Sequence, residues 1–184
     1  RIIYTSLLKG DASSMILAQD HIATEAHLAA SGLAHTVLRN GWYTENYTGS
    51  LGAAVAHGGM AGAAGNGRIA SAARADYAEA IAAVALNAGL QGKVYELAGD
   101  TAYSMSEMAA EVSRQTGKAI GYTSLPQADY AAMLQGFGLP EGFAAILADS
   151  DAQAAKGALF DDSRSLSALI GRPTTPMAAS VKAA

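Results

Sequence analysis

The first part of the chain alternates short β-rich runs with one helical segment. Residues 2–5 are all β-branched or aromatic, which is typical of a strand buried on both faces. Between residues 14 and 31 apolar side chains recur at helical spacing, and Gly32 follows where a left-handed residue would end a helix. Residues 35–39 are again β-rich. This order of strand, helix and strand predicts a parallel crossover unit with a right-handed connection.

The rest of the chain continues the alternation and then becomes mostly helical. Ser104 and Glu107 have the spacing of a capping box, and Asp76 is placed to cap another helix. The predicted strands are 68–71, 94–98 and 119–125, and the predicted helices are 76–87, 104–116, 127–134, 141–155 and 163–170. The pattern predicts an α/β protein with a smaller helix-rich lobe and a soft boundary near Gly99.

A glycine-rich stretch at residues 59–65 has a spacing that some dinucleotide-binding turns use. Such a turn needs a strand before it and a helix directly after it, so that free N–H groups meet the pyrophosphate. Here residues 53–57 look helical and residues 68–71 look like a strand. We therefore interpret the stretch as a flexible loop.

The histidines and acidic pairs give no convincing metal or acid–base site. His21 and His27 are six residues apart, which separates them around a helix, and we predict no metal site. The pairs Asp149/Asp151 and Asp161/Asp162 stand in polar stretches beside helix starts, where solvated caps are commoner than acid–base pairs.

Polar side chains follow two neighbouring predicted strands, at the end where open α/β sheets place their ligands. Residues 4–6 carry three hydroxyls, and residues 39–43 are Arg-Asn-Gly-Trp-Tyr. A glycine and an aromatic pair would line a crevice for a flat ligand. Simple packing of Trp42 and Tyr43 is an equally open alternative.

Composition narrows the class of protein. The 184 residues are 51% hydrophobic with a mean hydropathy of +0.15, which excludes a disordered chain, and the apolar runs are too short for membrane insertion. Lys and Arg number 12 against 16 Asp and Glu, and the net charge of −4 argues against a nucleic-acid partner. The absence of cysteine excludes thiol chemistry, favours a cytoplasmic location and means that electron transfer would need a bound cofactor.

Several stretches, in matching order and spacing, carry a family resemblance over essentially the whole chain: 4–8, 21–33, 36–47, 74–77, 93–100 and 159–175. They resemble the NmrA-like, atypical short-chain dehydrogenases, and most closely the bacterial NAD(P)H:quinone oxidoreductases of that group. The resemblance implies the C-terminal part of a Rossmann-type parallel sheet in residues 1–99 and a mostly helical, substrate-side lobe in residues 100–184. The family's Gly-rich pyrophosphate turn is not in this sequence, so we expect a fragment with an unpaired sheet edge that need not fold alone.

The resemblance implies hydride transfer from NADPH, with NADH as an alternative, to a quinone or a similar flat acceptor. It assigns cofactor contact to the loop Asn40, Gly41, Trp42, Tyr43, Thr44 and Glu45. Leu17 and His21 stand where short-chain dehydrogenases usually carry their catalytic Tyr and Lys, a departure that NmrA-like members share. Ser6 is then the best hydroxyl near the reacting ring, and His21 is a candidate proton donor.

Other interpretations stay open. Some NmrA-like proteins sense NAD(P) without turning it over and act through a protein partner, and a fragment without the phosphate-binding half could bind nothing. The oligomeric state is undetermined, with a homodimer as one option. We interpret Arg74 and Asp76 as structural, an N-cap with a neighbouring charge.

Overall fold

The computed structural model describes residues 1–184 and contains five strands and nine α-helices. The strands are β1 (Ile2–Leu7), β2 (His35–Asn40), β3 (Gly59–Gly62), β4 (Val94–Leu97) and β5 (Gly121–Ser124). The helices are α1 (Ala18–Ala30), α2 (Glu45–Thr48), α3 (Leu51–His57), α4 (Arg74–Leu86), α5 (Met105–Thr116), α6 (Gln127–Gly136), α7 (Glu141–Ala154), α8 (Ser165–Ile170) and α9 (Met177–Ala183). The predicted α/β organisation, with helices dominating the second half, is confirmed.

The main sheet is parallel and has the order β1-β2-β4. Ile2 is in register with His35 and Leu7 with Asn40, and Asn40 is also in register with Leu97 on β4. The predicted crossover through α1 is therefore present. β1 lies at the edge of the sheet, so Ile2, Ile3 and Tyr4 are half-buried rather than buried on both faces.

The prediction that the glycine-rich stretch is a flexible loop is wrong for the first half of the stretch. Gly59–Gly62 forms β3, which pairs in parallel with β5 in a second, two-stranded sheet. The glycines permit close packing: a Cβ on Gly62 would stand 2.5 Å from an Asp151 carboxylate oxygen and 3.0 Å from the Tyr122 hydroxyl. The helix predicted before the stretch is confirmed as α3.

Two other element predictions are wrong in instructive ways. Residues 68–71 form no strand, because their backbone hydrogen bonds go to three separate segments: Ile69 pairs with Tyr103, Ala70 N–H binds the Leu159 carbonyl, and Gly99 N–H binds the Ala70 carbonyl. The helix predicted from residue 14 begins only at Ala18.

Asp76 is not the N-cap of α4, contrary to the prediction. Ala73 is the capping residue, and Asp76 is completely buried in the first turn. Its carboxylate accepts hydrogen bonds from the Thr175 N–H (2.8 Å) and hydroxyl (3.0 Å) and from the Arg172 guanidinium (2.7 Å). The structural interpretation of Asp76 therefore stands, but as a tie to the C-terminal segment.

The largest buried cluster takes residues from both halves of the chain. This central cluster consists of Leu7, Met15, Ala18, Ala64, Ile69, Tyr103, Met105, Met108, Ala154, Ala158 and Leu159. A second cluster, between the sheet and α4, consists of Leu38, Ala72, Tyr77, Ala80, Val84, Leu97 and Leu166. The division at residue 99 stays a prediction, and both clusters join residues from either side of it.

Candidate functional site

The three strands of the main sheet end side by side at their carboxyl ends. Leu8 N–H binds the Asn40 carbonyl at 2.9 Å, and Gly41 N–H binds the Leu97 carbonyl at 2.7 Å. The segments that follow β1, β2 and β4 therefore leave the sheet at one edge. In open α/β sheets this edge is where ligands bind, and it is where the loop 40–45 lies.

Asn40 and Gly41 are set by the sheet and its neighbours. A Cβ on Gly41 would stand 3.1 Å from the Tyr77 hydroxyl and 3.2 Å from the Leu97 carbonyl, so this glycine is explained by packing within the protein. The buried Asn40 side chain donates a long hydrogen bond of 3.4 Å to the Tyr43 hydroxyl. Its Oδ1 is buried without any partner, which is uncommon for a native buried polar atom.

Trp42 and Tyr43 are both half-buried, and they pack on different cores. Trp42 contacts the central cluster, whereas Tyr43 packs against the sheet–α4 cluster and meets Tyr77 edge to face, with ring centres 5.2 Å apart. The Arg74 guanidinium lies 4.5 Å from the centre of the Tyr43 ring, a distance typical of a cation–π contact. One face of Tyr43 is therefore already occupied.

Thr44 and Glu45 make their hydrogen bonds inside the protein. The Glu45 carboxylate accepts the Arg74 N–H at 3.0 and 3.1 Å, at the start of α4. The buried Thr44 hydroxyl is 2.7 Å from the Ser71 hydroxyl, which is 2.5 Å from the Tyr103 hydroxyl. Burial raises the pKa of Tyr103 to about 12, so this phenol stays protonated at neutral pH.

Ser6 and His21 lie in the interface between β1 and α1. The Ser6 hydroxyl donates to Glu25 at 2.5 Å, and the Tyr4 hydroxyl hydrogen-bonds His21 Nδ1 at 2.8 Å. The two strand residues share one face of β1, and the two helix residues are one turn apart on α1, so the pairs are aligned. The structure brings both candidate residues to one surface and gives each a partner within the protein.

Glu25 belongs to an ion-pair network with a single central cation. Arg39 contacts Glu25 at 2.6 Å and Glu96 at 2.9 Å, and Glu96 also accepts the Lys9 N–H. Burial raises the pKa of Glu25, but hydrogen bonds from Arg39 and Ser6 outweigh it, so the pKa lies below its ordinary value. Glu25 therefore stays ionised at neutral pH and acts as an anchor.

Sequence reasoning missed a second group of polar residues, around Asp151. Asp149 and Asp151 lie inside α7 and are buried, so the prediction that they are solvated caps is wrong. They do not form an acid–base pair either, since each binds a different backbone segment: Asp149 accepts the Ile16 N–H at 2.7 Å, and Asp151 Oδ2 accepts the Ala63 N–H at 2.9 Å.

Three tyrosines lie around Asp151 in this group: Tyr47, Tyr122 and Tyr130. The Tyr122 hydroxyl accepts the Ala64 N–H at 3.0 Å, next to the N–H that Asp151 binds. The negative charge of Asp151 reaches Tyr47, Tyr122 and Tyr130 and adds to burial in raising the pKa of each phenol. Burial raises the pKa of Asp151 itself to about 6, and only the Ala63 N–H opposes that shift. The sequence marked Asp151 only as one member of the pair Asp149/Asp151, because its environment comes from four separate elements.

The structure shows no group of three or more His, Asp or Glu side chains placed to hold a metal ion. None of its helices combines the length and the apolar character needed to cross a bilayer.

No protein-family model matches the chain. Quinone oxidoreductase 2 of Escherichia coli (strain K12) is 58% identical over 180 residues, which are 98% of this chain and 63% of that protein. The crystal structure of the E. coli NADPH-dependent quinone oxidoreductase QOR2 complexed with NADPH superposes with a TM-score of 0.97 at 57% identity, over 98% of this chain and 64% of that one. Triphenylmethane reductase of Citrobacter sp. complexed with NADP(H) gives 0.90 at 30% identity, over 99% and 64%.

The chain thus spans about 63% of the length of the first of these relatives. The match extends over nearly all of the chain and includes the order of strands and helices, since the superpositions are close. The predicted Rossmann-type fold class is confirmed. The chain is a close homologue of E. coli quinone oxidoreductase 2, and the resemblance to NmrA-like NAD(P)-dependent reductases that its sequence indicates is confirmed.

Proposed function

We propose that this protein is an NADPH-dependent oxidoreductase that reduces quinones or similar flat acceptors. The observation that carries the proposal is the close match, in sequence and in backbone, to a quinone oxidoreductase whose structure contains NADPH. The relatives named above are oxidoreductases or reductases by name. We therefore retain the enzyme rather than the NAD(P)-sensing alternative.

The loop Asn40–Glu45 is our proposed contact for the nicotinamide end of NADPH. Its buried, unpartnered Asn40 Oδ1 is an acceptor that a ligand donor would satisfy. Trp42 and Tyr43 offer half-exposed aromatic surface beside it, while Thr44, Glu45 and the packed Gly41 hold the loop in place. When bound, NADPH supplies the hydride, and the loop serves to orient the acceptor against it.

Ser6 and His21 stay predictions as proton donors. Each hydrogen-bonds within the β1–α1 interface, so each would have to give up or share a partner to act on an acceptor. A His21→Ala variant tests the second of them, because it removes the imidazole that hydrogen-bonds Tyr4 in this interface.

The experiment is NADPH oxidation by the complete protein, followed by absorbance with and without 1,4-benzoquinone. We expect oxidation that depends on quinone, and we expect Tyr43→Ala or Trp42→Ala to slow it by at least about tenfold, since misplacing a flat acceptor weakens orientation. Tyr95→Ala is the matched control: Tyr95 is half-buried against the same sheet–α4 cluster as Tyr43, but its hydroxyl binds the Leu90 carbonyl away from the loop.

Tight NADPH binding without quinone-dependent oxidation would overturn the enzyme in favour of the sensor. Equal losses in the Tyr43 and Tyr95 variants would overturn the assignment of the loop while leaving the activity in place.

A cytoplasmic location and a homodimer are further proposals, as is the absence of a nucleic-acid partner. The lack of cysteine and the net charge of −4 support the first and the last of these. Sedimentation of the complete protein tests the homodimer.

A further inference from the structure

Asp151 is a buried carboxyl group without a cation. It forms no salt bridge, and Oδ2 binds the Ala63 N–H, while Oδ1 makes no hydrogen bond. The residue is buried but keeps an exposed fraction of 9%. The titratable groups around it are all phenols, one from each of α2, β5 and α6: Tyr47, Tyr122 and Tyr130.

Tyr47 is the second unsatisfied group in this place. Its hydroxyl is fully buried and has no hydrogen-bond partner, and an unpaired buried hydroxyl is destabilising. Phenol and carboxyl both lie among side chains that leave a hydrogen-bonding position open. The charge of Asp151 acts on the Tyr47 phenol, so the two groups are neighbours, and a ligand oxygen that entered between them would accept a hydrogen bond from each.

The position of this group relative to the sheet edge is set by α2 and α7. Tyr47 follows the loop 40–45 by one turn, with its N–H bound to the Thr44 carbonyl at 3.0 Å, and it packs on the central cluster together with Trp42 and Tyr122. The loop after β1 is tied to α7 by Ile16 N–H to Asp149 (2.7 Å) and by Ser14 to Gln153 (2.7 Å). Asp151 is thus held beside the segments that leave β1 and β2.

Reduction of a quinone needs a proton as well as a hydride. The hydride brings two electrons and one proton, which converts the quinone into a quinol anion with a negative charge on one oxygen. A second proton is then required to give the neutral quinol. The source must carry a proton at neutral pH and must release it readily, which favours a group whose pKa is near the working pH.

We propose that Asp151 is the proton donor of the reduction and that Tyr47 hydrogen-bonds the same acceptor oxygen; this rests on the proposed quinone reductase. The O–H bond of the Asp151 carboxyl breaks as the new O–H bond of the quinol forms. The remaining carboxylate keeps its bond to the Ala63 N–H and takes up a proton from solvent after the product leaves. Tyr47 keeps its own proton and stabilises the charge that develops on the oxygen.

Two measurements on the complete protein test this inference. The first uses no cofactor and no acceptor: difference infrared spectra from about pH 5 to about pH 7. We expect a carboxylic-acid carbonyl band that disappears with a midpoint near 6, is missing in Asp151→Asn, and persists in Tyr47→Phe and Asp149→Asn. Asp149 is the matched control, since it is also buried on the same helix and binds the Ile16 N–H.

The second measurement is the pH profile of quinone-dependent NADPH oxidation. A carboxylic-acid donor predicts a rate that falls as pH rises through about 6, with a solvent deuterium isotope effect. We call this fall in rate with rising pH the limb of the profile. Asp151→Asn is expected to lower kcat by about 10²-fold or more, the usual contribution of general-acid catalysis, and to remove the limb. Tyr47→Phe is expected to lower kcat by about tenfold or more and to keep the limb. Asp149→Asn is expected to leave both kcat and the limb of the profile unchanged.

The outcomes separate this inference from the proposed function. Absence of any quinone-dependent oxidation overturns the proposed function, and the proton donor with it. Oxidation with an unchanged limb in Asp151→Asn overturns the donor alone, and so does an infrared band that Asp151→Asn retains. Loss of the limb in His21→Ala would move the proton to the β1–α1 interface instead.

Discussion

Glu25 and Asp151 are two enclosed carboxyl groups with opposite surroundings. Glu25 contacts Arg39 at 2.6 Å and accepts the Ser6 hydroxyl, and its pKa lies below the ordinary value. Asp151 has one backbone N–H and a ring of phenols, and burial raises its pKa to about 6. One group is fixed as an anion, and the other changes its charge close to neutral pH.

The difference in pKa indicates different roles for the two carboxyl groups, one in stability and the other in proton transfer. A carboxylate paired with a cation stabilises the sheet and has no proton to give at neutral pH. A carboxyl group buried without a cation lowers stability when it ionises, but it can hold and release a proton. We therefore expect changes around Glu25 to alter mainly stability, and changes around Asp151 to alter stability and turnover in opposite directions.

The largest expected effect on stability is that of Asp151→Asn. The folded protein holds the Asp151 proton more tightly than the unfolded chain, because the pKa rises from 3.8 to about 6. Wild-type stability therefore falls as pH rises through this window, by about 3 kcal/mol at this residue. Since asparagine has no such loss, we expect the variant to match wild type near pH 4 and to exceed it by about 2 to 3 kcal/mol near pH 7.

Urea unfolding of the complete protein at both pH values measures this difference. Asp149→Asn serves as the control, and we expect no such pH-dependent gain from it, since its carboxylate is bound by the Ile16 N–H and by the Gln153 amide. An Asp151→Asn variant that is slower in turnover and more stable at neutral pH would support the contrast between Glu25 and Asp151. A variant that is less stable than wild type at both pH values would contradict it.

Arg39→Met should be the next largest change, with the opposite sign. It leaves Glu25 and Glu96 without their shared cation, and these side chains are only 15% and 34% exposed. Removing one partner of a fully buried ion pair costs 3 kcal/mol or more, and for this partly exposed network we expect about 2 kcal/mol. The urea midpoint of the complete protein measures the loss.

Arg114→Met provides the reference for an exposed pair. Arg114 pairs with Glu111 within α5, and its own side chain is 68% exposed, so the urea midpoint should change much less than in Arg39→Met. Equal losses of stability in Arg39→Met and Arg114→Met would mean that the Arg39 network contributes no more than an exposed ion pair.

The strand–helix–strand unit and the capping box of α5 were predictable because they depend on local signals. Apolar spacing sets α1, and Ser104 and Glu107 bind each other's backbone N–H groups as their spacing predicts. The candidate loop was likewise found from its place after β2. Such features require only residues that are near in sequence, or the general rule for the edge of a parallel sheet.

The second sheet and Asp151 were not predictable in the same way. Gly59–Gly62 becomes a strand only because β5, about sixty residues later, pairs with it and the side chains of Asp151 and Tyr122 fill the space above Gly62. Asp76 likewise binds Thr175 and Arg172 near the other end of the chain. Tertiary partners override local propensity at these positions, and a pattern read along one segment contains no information about them.

The smallest expected effects on stability come from removing the hydroxyl of Tyr122 or of Tyr130, two of the phenols around Asp151. Tyr122→Phe removes the acceptor of the Ala64 N–H, which belongs to a fully buried residue, and we expect a loss of about 1 kcal/mol. Tyr130→Phe is the matched control, because the Tyr130 hydroxyl makes no hydrogen bond within the chain, and its loss should stay below about 0.5 kcal/mol. Urea midpoints at neutral pH measure both. If Tyr130→Phe proved the more costly change, its hydroxyl would have a partner in this group, and Asp151 Oδ1 would no longer be free to face an acceptor.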